Sequence, residues 1–154
     1  MGYIVVVLLQ TLVMPVVFGA TTLPAHDAGT MVATFGRWFL FWGVGTRLAL
    51  AGIVQLVRPE FTTKSILGAA PVPGARLVVQ ELGFANVAIG VGGVLGTFSG
   101  GGLAAAVTGG LYLGAAGVRH VGSRDMNAKE RVATWTDLLV FAAMAAYAVA
   151  ILVH

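Results

Sequence analysis

The sequence has no cysteine among its 154 residues, which excludes a disulfide-stapled secreted scaffold. Charge is scarce as well. Asp, Glu, Lys and Arg make up 10% of the chain, where a soluble domain carries about 25%. That leaves too little polar surface to cover a water-exposed fold. Nine Lys and Arg against six Asp and Glu give a net charge of +3, with no basic domain on which nucleic acid could settle. No serine stands beside a histidine, so nucleophilic catalysis has no residues to use and no catalytic residue is expected. The run Gly92-Gly93-Val94-Leu95-Gly96 lies inside an apolar stretch, with no strand before it and no Lys-Ser/Thr after it, which excludes a phosphate loop.

What is present is apolar. Hydrophobic residues make up 58% of the chain and mean hydropathy is +0.92, which excludes disorder. Twenty-two glycines would be too many for soluble helices, but membrane helices accept glycine where they pack closely. The chain, residues 1–154, therefore reads as a single all-α domain, a polytopic transmembrane helical bundle.

A spanning helix needs roughly 20 mostly apolar residues. Five stretches qualify, at about 3–23, 37–57, 76–98, 103–121 and 132–153. Pro15 in the first predicts a kink, which membrane helices tolerate. A cleaved signal peptide would open on basic residues, and Met1-Gly2-Tyr3 has none, so this segment reads as a retained span. The second span opens with Trp38, Phe39, Phe41 and Trp42, an interfacial aromatic belt, and stops at Arg58-Pro59. A short interfacial helix is expected over 59–67, and a glycine turn at 99–102 joins the third and fourth spans. His26 and His154 read as surface residues of the outer face.

The basic residues set the orientation. Arg58, Lys64 and Arg76 flank one loop, and Arg119, Arg124, Lys129 and Arg131 flank another. Five spans place both loops on one side, which the positive-inside rule assigns to the cytoplasm. The amino end is then cytoplasmic and the carboxyl end outside, in the plasma membrane of a bacterial cell. Small residues spaced four apart, Gly92/Gly96, Gly96/Gly100, Gly110/Gly114 and Ala142/Ala146/Ala150, supply seams for close helix packing, within the chain or between subunits.

Polar residues inside a membrane are costly and mark candidate sites. Gln55 lies three residues before Arg58, Glu81 five after Arg76, His120 four before Arg124 and Asp137 six after Arg131. At about 1.5 Å of rise per residue, all share a layer roughly 4 to 9 Å inside the cytoplasmic boundary. Arg47, eleven residues before Arg58, lies roughly 16 Å deep, with Asn86 at similar depth. Arg47 is expected to contact Glu81 or Asp137, and Glu81, His120 and Asp137 are expected to converge with Gln55 at their edge. Such a cluster either pins helices in register or forms a binding or proton-handling site open to the cytoplasm. A single imidazole with no close ligand spacing makes a metal unexpected.

The string Glu81-Leu-Gly-Phe-Ala-Asn-Val-Ala-Ile-Gly-Val-Gly-Gly-Val-Leu-Gly96 resembles the pattern E-x-G-F-A-N-x-x-x-G-x-x-G of a family of small bacterial integral membrane proteins of unknown function. The resemblance extends to Gly114-Ala-Ala-Gly-Val-Arg-His120, Asn127 and Thr136-Asp137, and upstream to Phe41-Trp-Gly-Val-Gly45, covering about residues 36–145. It implies a compact multi-helix bundle with Glu81, Asn86, His120, Asn127 and Asp137 as the carried residues. Where that family places a histidine near the cytoplasmic end of the second span, this chain has Gln55, which weakens a metal reading. A more distant similarity in layout links it to the DoxX-like membrane proteins, some connected with quinone oxidoreductases.

Three function classes follow. One is a structural or accessory subunit of a larger membrane complex. Another is a small-molecule, lipid or quinone-binding membrane protein using the polar cluster. The third is a transporter, for which so small a chain would need to form a homo-oligomer. No cofactor is required by the first, the lipid bilayer is a partner in all, and an enzyme is the less expected outcome.

Overall fold

The computed structural model describes residues 2–23, 28–66, 74–122 and 126–153. His26, Arg124 and His154 lie outside the described residues. Among the described residues five helical rods make up the fold: α1 (Gly2–Thr22), α2 (Ala28–Val57), α3 (Ala75–Phe98), α4 (Gly102–Val121) and α5 (Ala128–Val153). Among the described residues there is no strand. Between α2 and α3 a short helical turn spans Phe61–Ile66, where the interfacial helix was expected.

Close approaches fix how the rods run. Gly52 faces Gly83 and Val87, and Gly90 faces Gly45 and Ala49, so α2 and α3 are antiparallel with backbones in contact. Gly36 meets Tyr147 and Gly43 meets Val140, which makes α2 antiparallel to α5. Gly110 packs on Met144, Gly114 on Phe141 and Gly117 on Leu138, which makes α4 antiparallel to α5. Gly19 of α1 lies against Phe35, and Gly109 of α4 against Val44. α2 therefore runs through the middle, touching every other rod. Its Leu40, Val44 and Leu48 form the core with Ala106 and Leu113 of α4 and Val140, Met144 and Tyr147 of α5. Glycine is required at these seams because a Cβ would meet backbone or side-chain atoms of the neighbouring helix.

Two rods carry a widened π turn. In α1 it spans Leu9–Val13, just before buried Pro15. Proline lacks an N–H and its ring clashes with the carbonyl four residues back, so the chain loosens there instead of keeping regular spacing. In α2 it spans Leu40–Thr46, containing Gly43 and Gly45. The two widened turns touch: Gln10 Nε2 donates to Thr46 Oγ1 at 3.1 Å.

The expected boundaries need two corrections. α2 begins at Ala28, not Arg37, because Gly29, Thr30 and Thr34 continue the helix instead of forming a polar connection. α5 begins at Ala128, a turn before the expected 132, on a cap described below. Span number also differs from the five expected. Four helices, α1, α2, α3 and α5, are long and apolar enough to cross a membrane by length and composition; α4 is not among them. Its glycines and alanines and its terminal Arg119 and His120 dilute it. A rod whose glycines pack on Val44, Met144, Phe141 and Leu138 needs fewer large apolar side chains than one facing lipid.

Both ends carry ordered polar or aromatic contacts. Arg37 donates through Nε to the Thr97 carbonyl at 3.0 Å, satisfying the last turn of α3, and stacks over Phe98. Phe18, Trp38, Phe41 and Trp42 form a ring cluster with centroids 4.8–5.9 Å apart. At the other end stand Arg58, Lys64, Arg76, Arg119, Lys129 and Arg131.

Candidate functional site

Arg47 follows immediately on the π turn of α2, and the extra residue in that turn rotates what comes after it around the helix axis. The guanidinium is thereby aimed at α5. Its Nη2 donates to Asp137 Oδ1 at 2.5 Å and to Thr136 Oγ1 at 3.0 Å. The Thr136 hydroxyl donates in turn to the Val132 carbonyl at 2.7 Å or the Ala133 carbonyl at 3.0 Å, leaving its lone pair for the arginine. All three residues are buried. The expected contact between Arg47 and an acid is thus made with Asp137.

A second pair ties α2 to α3. Asn86 Nδ2 donates to Gln55 Oε1 at 2.7 Å, both buried. Asn86 lies on the buried stripe of α3 with Gly83, Gly90 and Gly93, the spacing that keeps one face inward. These two pairs make up the polar interior, one joining α2 to α5 and the other α2 to α3.

The expected three-way convergence on Glu81 is corrected. Glu81 is exposed on α3, two residues round the helix from buried Val79 and Gly83, and makes no hydrogen bond or ion pair among the described residues. Gly83 must face Gly52 for the α2–α3 seam to close, and that register turns Glu81 outward. His120 is not joined to Asp137 either. Its Nδ1 lies 3.3 Å from Glu130 Oε1. Asn127 is exposed and caps α5: its Oδ1 accepts the backbone N–H groups of Lys129 at 2.9 Å and Glu130 at 3.1 Å.

With this geometry in view, the comparison with known families is decisive. A family model described as a family of unknown function, DUF6790, matches residues 1–153. The chain belongs to DUF6790. No curated protein and no solved structure matches it.

In this DUF6790 member, sequence reasoning missed Glu130 as the partner of His120 and gave Thr136 no contact of its own. Glu130 had a usable signal, since Asn127-x-x-Glu130 has the spacing of a capped helix start. Thr136 had only its place beside Asp137.

The interior is not fully satisfied. Arg47 Nη1 and Asn86 Oδ1 are buried without a hydrogen-bond partner, as are Trp42 Nε1 and Thr11 Oγ1. Among the described residues no three of His, Asp and Glu gather as a metal would require. Two shallow apolar grooves mark the surface, one between α3 and α4 beside Gly92 and Gly96, the other between α1 and α5. Of the polar interior, only Thr136 reaches either groove.

Proposed function

We propose that this chain is a small multi-pass membrane protein with a structural or accessory role, its rods pinned by buried polar pairs. One observation carries the reading. The costly groups join one another across helices, Arg47 to Asp137 and Gln55 to Asn86, instead of lining an open cleft. An ion pair in an apolar interior contributes little net stability, but removing one partner is expensive, so such pairs serve to fix register. The antiparallel packing of α4 on α5 favours five crossings, with α4 shielded by its neighbours. Six basic side chains at the loop end favour an amino end in the cytoplasm of a bacterial cell and a carboxyl end outside.

The test is native purification from membranes with identification of what comes with it. Recovery in the membrane fraction with a stoichiometric protein partner, lost on disrupting an exposed helix face, supports the accessory role. Recovery alone, with a tightly held small molecule other than a bilayer phospholipid, overturns it. That second outcome has its own support in Arg47 Nη1, an unpartnered donor that a ligand carbonyl such as a quinone's would satisfy, and in Asn86 Oδ1, an unpartnered acceptor that a ligand hydroxyl such as a quinol's would satisfy.

A further inference from the structure

We propose that the groove between α1 and α5 is a binding site for one anionic phospholipid, with its phosphate at Arg131 and an acyl chain running toward Leu139. The inference rests on the membrane reading above and concerns a place separate from the buried Arg47–Asp137 pair.

The groove has a volume of about 440 Å³, walled by Leu8 and Leu12 on α1 and by Val132, Trp135 and Leu139 on α5. These walls match a hydrocarbon chain in character. Thr136 lies at the floor. Arg131, also on the lining, lies at the end where α5 begins. Tyr3 and Lys129 mark the same end, both contacting the ring of Phe61, with centroids 6.1 Å apart and the ammonium 5.3 Å from the ring centre. α1 and α5 are therefore parallel here, and the groove runs from a basic mouth into an apolar interior.

Charge selects the occupant. Arg131 is exposed, and its guanidinium makes no ion pair among the described residues. Among the described residues no acid pairs with Arg131: Glu130 is turned inward onto His120, and exposed Glu60, beside Phe61, makes no ion pair with it. Trp135 is 65% exposed on the groove wall one turn above Arg131, where an indole sits at headgroup level. A basic residue over a slot between helices, on the face rich in Lys and Arg, is the arrangement that holds anionic lipid headgroups. A zwitterionic lipid would fit the slot but would bring a second cation to the mouth held by Arg131.

Native mass spectrometry of the full chain tests this, using phosphatidylglycerol and phosphatidylcholine with identical acyl chains. The wild type should retain one phosphatidylglycerol with about fivefold preference, the scale set by one basic residue near a membrane surface. R131Q should lose that preference while R76Q, at the same end but off the groove, keeps it. Leu139→Trp, which fills the slot, should reduce retention of both lipids. Equal retention of the two lipids by the wild type would overturn the proposal. So would equal losses in R131Q and R76Q, which would mean attraction to the basic face in general. Competition by inorganic phosphate without any effect of Leu139→Trp would also overturn it, as a free-anion site. Failure of the membrane reading would appear separately, as wild-type chain absent from the membrane fraction.

Discussion

Arg47 and Asp137, 90 residues apart in the chain, meet at 2.5 Å with side chains only 8% and 10% exposed. The pair joins the central rod to the last one and draws Thr136 into the same contact. Neither charge has water to fall back on, so each depends on the other.

Breaking that pair from one side should therefore be costly. Asp137→Leu or Arg47→Met alone is expected to lower stability by about 3 kcal/mol or more, because it strands a buried charge. The double variant R47M/D137L should regain most of the loss. Thermal unfolding of the purified protein in detergent reads the difference, and a double variant as unstable as either single one would show that the pair is not the unit.

The two glutamates should part company. Glu81→Gln on the outer face of α3 should leave stability within about 0.5 kcal/mol of the wild type. Glu130→Ala, which removes the carboxylate beside His120 at the start of α5, should cost about 1–3 kcal/mol. The same unfolding assay checks both, and the reverse order would place Glu81 in the interior after all.

Glycine positions offer a second comparison. A Cβ on Gly52 would stand 2.5 Å from the Gly83 carbonyl oxygen and 2.7 Å from the Val87 nitrogen, both backbone atoms that cannot move without parting the helices. Gly52→Ala should cost about 1–3 kcal/mol through overpacking. At Gly92 a Cβ meets nothing within 4 Å, so Gly92→Ala should be neutral or gain up to about 1 kcal/mol from helix propensity. Equal effects would mean that the α2–α3 seam is not tight.

Topology can be read directly. A reporter fused after His154 should respond as exported, and one inserted in the 122–127 connection as cytoplasmic, given the basic residues around it. Cytoplasmic signals from both would mean that α5 does not cross, whereas an exported signal at 122–127 with a cytoplasmic one after His154 would mean that α4 does not.

Composition alone determined the class of this protein. With 10% charge and 58% hydrophobic residues, long apolar runs have only helices to satisfy their backbones, and the rods lie within a few residues of the runs except at the start of α2. Depth along each helix was equally legible, because rise per residue is fixed; it brought Arg47 to the level where an acid had to be found. Direction around each helix was not. It depends on the π turn of Leu40–Thr46, which rotates Arg47 toward α5, and on the Gly52–Gly83 contact, which turns Glu81 outward. A cap at Asn127 and a partner for His120 at Glu130 depended on where α5 starts. Those outcomes belong to the tertiary structure, since burial and backbone contact across helices, not spacing along one of them, decide which face looks in.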